Sequence, residues 1–129
     1  MTVASAFGFS ETLERLESAL AASGNRIFAR LDQAAAAADV GLTLRPTVLF
    51  LFGNPAAGTP LMNAAPAFAL ELPFRVLVWL DGDTVRVATA VLAQRAARYD
   101  ASELEPKLGE LDTRVEKLIR AAVGAPANG

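Results

Sequence analysis

Cysteine and histidine are both missing from the 129 residues. Their absence excludes disulfides, thiolate and imidazole metal ligands, cysteine nucleophiles and any histidine-based triad. A hard cation held by oxygen ligands is the one metal chemistry left open, and no metal or cofactor is expected. Charge of one sign is lacking too. Twelve basic against 14 acidic side chains leave a net charge of -2, so the whole chain carries no bias towards polyanions, and no nucleic-acid partner is expected. No basic segment precedes a long apolar run at the N-terminus, so no secretory signal is read. The longest apolar run, Val48 to Phe52, is far too short to cross a bilayer. The default expectation is a soluble cytoplasmic chain without a membrane partner.

What is present is apolar patterning. The apolar share of 53% overstates the core, because 27 of those residues are alanine. Leu, Val, Phe and Ile nevertheless recur with clear periods, which predicts one folded domain over residues 1–124 and a flexible tail over 125–129.

The chain opens with an alternating run, "TVASAFGF" (2–9), read as a strand with Val3, Ser5, Phe7 and Phe9 on one face. Ser10 stands where a helix N-cap is expected, Leu13, Leu16 and Leu20 recur at helical spacing, and Gly24 supplies the stop. "NRIFARLD" (25–32) alternates again, Ile27, Ala29 and Leu31 facing one way and Arg26, Phe28 and Arg30 the other. A short alanine-driven helix over 33–41 follows, closed by Gly41. "TVLFLF" (47–52) is apolar on both faces. "RVLVWL" (75–80) and "TVRVAT" (84–89) flank Asp81-Gly82-Asp83, a strong hairpin signal. A helix is read over 90–99, and a longer one begins between Ser102 and Pro106 with Leu104, Leu108, Leu111, Val115, Leu118 and Ile119 as its stripe. The order predicts an α+β fold with a single, mostly antiparallel five-stranded sheet, β-α-β4-α. Two main helices pack on one face, and the insertions are short and helical.

Strands 47–52 and 75–80 are apolar on both sides, yet helices would cover only one. A second subunit over the other face, burying about 1,200–2,000 Å² in total, resolves this. Phe28, Leu77 and Trp79 are its candidate interface residues. The competing solution folds the insertion 54–73 and the helix 90–99 back as a lid.

The least ordinary stretch is "LFGNPAAGTPLM" (51–62). As structure alone, Gly53 and Gly58 supply backbone freedom, while Asn54, Pro55, Thr59 and Pro60 set turn and cap. As an anion site, Thr59-Pro60 opens a helix whose N–H groups, with Gly58 ahead of them, receive negative charge. Neither a P-loop nor a dinucleotide fingerprint is present, because the Lys and the glycine spacing are wrong. A catalytic Thr59 would need a carboxylate or Lys base, and none of Asp32, Asp39, Glu71, Asp81 or Asp83 is paired with it by spacing. No catalytic residue is assigned. Candidate ligand-binding residues are Gly53, Asn54, Gly58, Thr59, Leu61 and Met62, with Arg45 and Arg75 as nearby sources of positive charge.

The run from Arg45 to Trp79, within a match over roughly residues 3 to 123, resembles the bacterial and archaeal family known as domain of unknown function 302. The resemblance implies a TBP-like fold, usually homodimeric, and carries no established activity. Its motif is met by Gly53, Asn54, Pro55, Gly58, Thr59, Pro60, Leu61 and Met62. Members often have His after the Asp that ends the second strand; here Gln33 follows Asp32. A TATA-binding likeness of fold does not imply DNA binding. The leading expectation is a non-catalytic homodimer binding a small anionic molecule near the loop. The alternative is a structural or protein-interaction dimer with no small-molecule ligand.

Overall fold

Five antiparallel strands carry the fold in the computed structural model, which describes residues 1–125. In chain order the elements are β1 (Thr2–Ala4), α1 (Phe9–Ala22), β2 (Arg26–Asp32), α2 (Gln33–Asp39), β3 (Thr47–Gly53), α3 (Pro55–Ala64), β4 (Phe74–Asp81), β5 (Thr84–Thr89) and α4 (Glu105–Val123). Short 3-10 segments occupy Pro66–Glu71, Ala93–Tyr99 and Ser102–Leu104. The sheet order is β1-β5-β4-β3-β2, every neighbour antiparallel. This is the α+β, β-α-β4-α arrangement expected from the sequence. The expected tail lies outside the described residues, apart from Ala125.

Period-two patterning decides which face is covered. Val48, Phe50 and Phe52 of β3 share a face with Val76 and Val78 of β4 and Val85 and Val87 of β5, and all are buried. Leu13, Leu16 and Leu20 of α1 and Ile119, Ala122 and Val123 of α4 close over that face. Each fully buried Leu or Phe there contributes about 1.5–3 kcal/mol. The Arg15 guanidinium ties the two helices by donating through Nε to the Ala122 carbonyl at 2.7 Å.

Leu31, Leu49 and Leu77 pair across β2, β3 and β4 on the opposite face, with Trp79 paired to Thr47 beside them. Leu49, Leu51, Leu77 and Trp79 pack against neither buried cluster, and Leu31 is 42% exposed. The insertion and the 93–99 segment instead join α4, where Leu61, Phe68, Leu92, Ala96, Leu108 and Leu111 form a second core.

Four local readings are corrected. β1 stops at Ala4, because the Ser5 hydroxyl accepts the Phe7 N–H at 3.1 Å and bonds Thr12 Oγ1 at 2.7 Å, turning the chain into α1. That helix starts at Phe9 with Gly8 at the cap position, so Ser10 is not the N-cap. Residues 93–99 are 3-10 rather than α-helical, while α4 begins at Glu105 with Pro106 in its first turn, within the expected Ser102–Pro106 interval. A β-bulge between Ile27 and Ala29 makes Phe28 the extra residue. The bulge breaks the expected alternation and separates Ile27 from Ala29 and Leu31. Ile27 and Arg30 pair with the buried Phe52 and Phe50, while Ala29 and Leu31 pair with Leu51 and Leu49.

Candidate functional site

The loop after β3 is held by its own side chain. Asn54 Oδ1 accepts the Ala56 N–H at 2.9 Å, and the Asn54 carbonyl accepts the N–H groups of Ala57 and Gly58, both at 2.9 Å. Pro55 has no N–H to offer. Asn54 is therefore the N-cap of α3, and the helix starts at Pro55 instead of Thr59. Pro60 falls inside it. Of the N–H groups considered for an anion, that of Gly58 is partnered by the Asn54 carbonyl, and those from Thr59 onwards lie inside α3 rather than at its start.

Gly53 and Gly58 do not supply backbone freedom. Positive φ is confined to Gly24, Gly41, Gly82, Gly124 and Asp100 among the described residues. A Cβ on Gly53 would lie 3.7 Å from Phe28 and 3.8 Å from Pro73, and one on Gly58 would lie 3.9 Å from Met62. These are ordinary van der Waals separations, so a methyl fits at either position.

The space they border is a cleft of about 600 Å³. Its walls come from the β2 bulge (Phe28), the ends of β3 and β4 (Leu51, Gly53, Phe74), α3 (Ala57, Gly58, Met62), and α4 (Leu111, Arg114, Val115, Leu118). The segment Leu72–Pro73, joined by a cis peptide, completes the apolar lining. Ser23, Asn25 and Asn54 are neutral polar members, and no carboxylate is among the lining residues. Arg114 is its one cation, exposed, with no hydrogen bond or ion pair to another described residue.

Of the sequence candidates, Gly53, Asn54, Gly58 and Met62 come together on this cleft, as does Phe28. Thr59 is exposed outside its lining, and Leu61 is buried in the second core. Leu77 and Trp79 lie on the sheet face opposite the helices. Arg45 and Arg75 do not line the cleft: Arg45 lies 4.0 Å from Asp81 and Arg75 lies 3.8 Å from Glu71. Sequence reading missed Arg114. Its position is three residues after Leu111 and four before Leu118, beside the apolar stripe rather than opposite it, which is the signal that marks it.

A polar cluster centres on Glu71, which precedes the cleft-lining Leu72 in the chain. Buried Glu71 accepts Arg95 Nη1 and the Tyr99 hydroxyl, each at 2.9 Å. Burial alone would raise its carboxyl, but the bonds from Arg95 and Tyr99 and the charges of Arg95 and Arg75 outweigh it and hold the pKa below 4.5. The Tyr99 phenol is raised in turn, chiefly because it donates to Glu71. Both oxygens of this carboxylate are engaged in joining the two 3-10 segments.

The model of the family described as Domain of unknown function DUF302 matches residues 1–122. This chain belongs to the DUF302 family. The crystal structure of an uncharacterized conserved DUF302 protein from Bacillus stearothermophilus superposes with a TM-score of 0.78, covering 96% of this chain and 94% of that one. At 22% identity the likeness is one of fold. A fluoride-specific ion channel, FluC 1, of Brucella suis biovar 1 is 43% identical over 82 residues, 64% of this chain and 32% of that protein. FluC 2 of Brucella melitensis biotype 1 is likewise 43% identical over 82 residues, covering 30% of its length. The DUF302 chain thus spans about a third of these curated relatives. No helix among its described residues is long and apolar enough to cross a membrane.

Proposed function

We propose that this DUF302 chain is a non-catalytic, homodimeric binding domain that takes a small anionic molecule in the cleft beside Asn54–Met62. One observation carries the ligand reading: a cleft of about 600 Å³ has an unpaired Arg114 as its sole charged wall. A cleft of that size falls within the range of small-molecule sites, about 300–1,000 Å³. The dimer reading is supported by the apolar row Leu31–Leu49–Leu77, which no element of the described chain packs into either core. In the Brucella relatives a similar segment belongs to a longer protein named as a fluoride-specific channel. A binding domain of this kind would give such a protein a ligand-dependent input.

Native mass spectrometry of the purified protein tests both parts, because it reports subunit count and any co-purified mass. A dimer carrying extra mass is the expected result. A clean monomer would remove the dimer. A ligand-free protein whose melting temperature ignores phosphate, sulfate, fluoride, common nucleotides and small carboxylates would remove the ligand. A ligand-free dimer favours the scaffold reading, which the exposure of Val40 (71%), Leu42 (66%) and Leu70 (83%) supports.

A further inference from the structure

We infer that the cleft selects an amphipathic monocarboxylate, its apolar body between Phe28, Met62, Phe74 and Leu118 and its carboxylate on Arg114. This rests on the cleft being a ligand site, and names the class it takes.

Three features converge on that class. First, the walls are apolar over most of their extent, and Phe28 stands on them 48% exposed, with the Arg26 guanidinium 5.8 Å from its ring. A bare anion would leave this surface wet, whereas an alkyl or aryl body removes it from water. Second, the lining offers one guanidinium and no acid. A single fork suits a single oxyanion, bound bidentately, and gives an ammonium group nothing to pair with. Third, phosphate recognition at the adjacent α3 start is closed off, since the Asn54 side chain and carbonyl already take the N–H groups of Ala56, Ala57 and Gly58. The charge is thus read at Arg114, across the cleft from the loop the family motif occupies.

The test is calorimetric titration with decanoate and 2-naphthoate, the neutral decanol and 2-naphthol, and sodium sulfate and fluoride as bare anions. It is made on the full chain and on Arg114→Gln, an exposed position whose change leaves the core untouched. The expected result is that at least one carboxylate binds about tenfold or more tighter than its alcohol, and that Arg114→Gln abolishes the difference. Equal binding of acid and alcohol, unchanged in Arg114→Gln, would overturn the carboxylate while leaving a cleft that binds small molecules. Sulfate or fluoride binding as tightly as the carboxylates would overturn the apolar body while leaving an anion site. If no carboxylate binds, the class is overturned, and a co-purified mass in native spectra then decides separately whether the cleft has any ligand.

Discussion

The Asp112 carboxylate accepts the backbone N–H of Leu92 at 3.0 Å. Its other oxygen accepts the N–H of Ala93 at 2.9 Å. A side chain from α4 thereby caps the Ala93–Tyr99 3-10 segment, from a position that is itself 7% exposed. Replacing it with Ala leaves two amide donors without partners at a buried position. Asp112→Ala is expected to cost about 1–3 kcal/mol, read from urea unfolding. A loss within experimental error would show that water replaces the carboxylate.

Glycines at two helix positions respond in opposite directions. Gly58 lies inside α3 with ordinary φ and room for a methyl, so Gly58→Ala is expected to stabilise by about 0.5–1 kcal/mol. Gly124 ends α4 at φ +70, where a Cβ would stand 3.1 Å from the Ala6 Cβ. Gly124→Ala is expected to destabilise by about 1 kcal/mol or more. Thermal melts of both variants check the pair, and a destabilised Gly58→Ala would return that glycine to a backbone role.

Acid acts on the Glu71 cluster in one direction. Its folded-state pKa is lowered, so its contribution is full above 4.5 and is lost as pH falls through the folded value. Wild-type stability should therefore decline below pH 4.5 more steeply than that of Glu71→Gln, which is weaker at neutral pH but lacks this titration. Parallel profiles for the two proteins, from pH 7 downwards, would place the acid sensitivity elsewhere.

Association through the open sheet face is tested by Leu77→Asp. The residue sits in the middle of the Leu31–Leu49–Leu77 row without contributing to either core. The expected product is a folded monomer by sedimentation, with unchanged far-ultraviolet dichroism. A dimer that survives the charge is held by some other surface.

Much of this architecture is written in short-range patterns. Two-sided apolar strands mark β3 and β4, and Asp81-Gly82-Asp83 marks the hairpin that joins β4 to β5, with Gly82 at φ +60. Gly24 and Gly41 end helices where positive φ is needed. The misses have one physical origin, in partners distant along the chain. The bulge at Phe28 depends on pairing with β3, not on the alternation of β2 itself. The cap of α3 turns on Asn54, which competes with Thr59 as a signal and wins because Pro55 then occupies the first helical position. The cleft exists only because α4 meets a loop some 50 residues earlier, so Arg114 acquires meaning from neighbours that no window of sequence contains.

The bulge bears also on how the sheet ends. β2 is one border of the sheet and β1 the other. At the first, an unpaired residue breaks the ladder and Arg26 and Arg30 flank it; at the second, only three residues extend. Neither border offers the long, regular row of free amides and carbonyls on which a foreign strand could template itself. A chain with so many apolar strand residues is thus guarded against growth by strand addition.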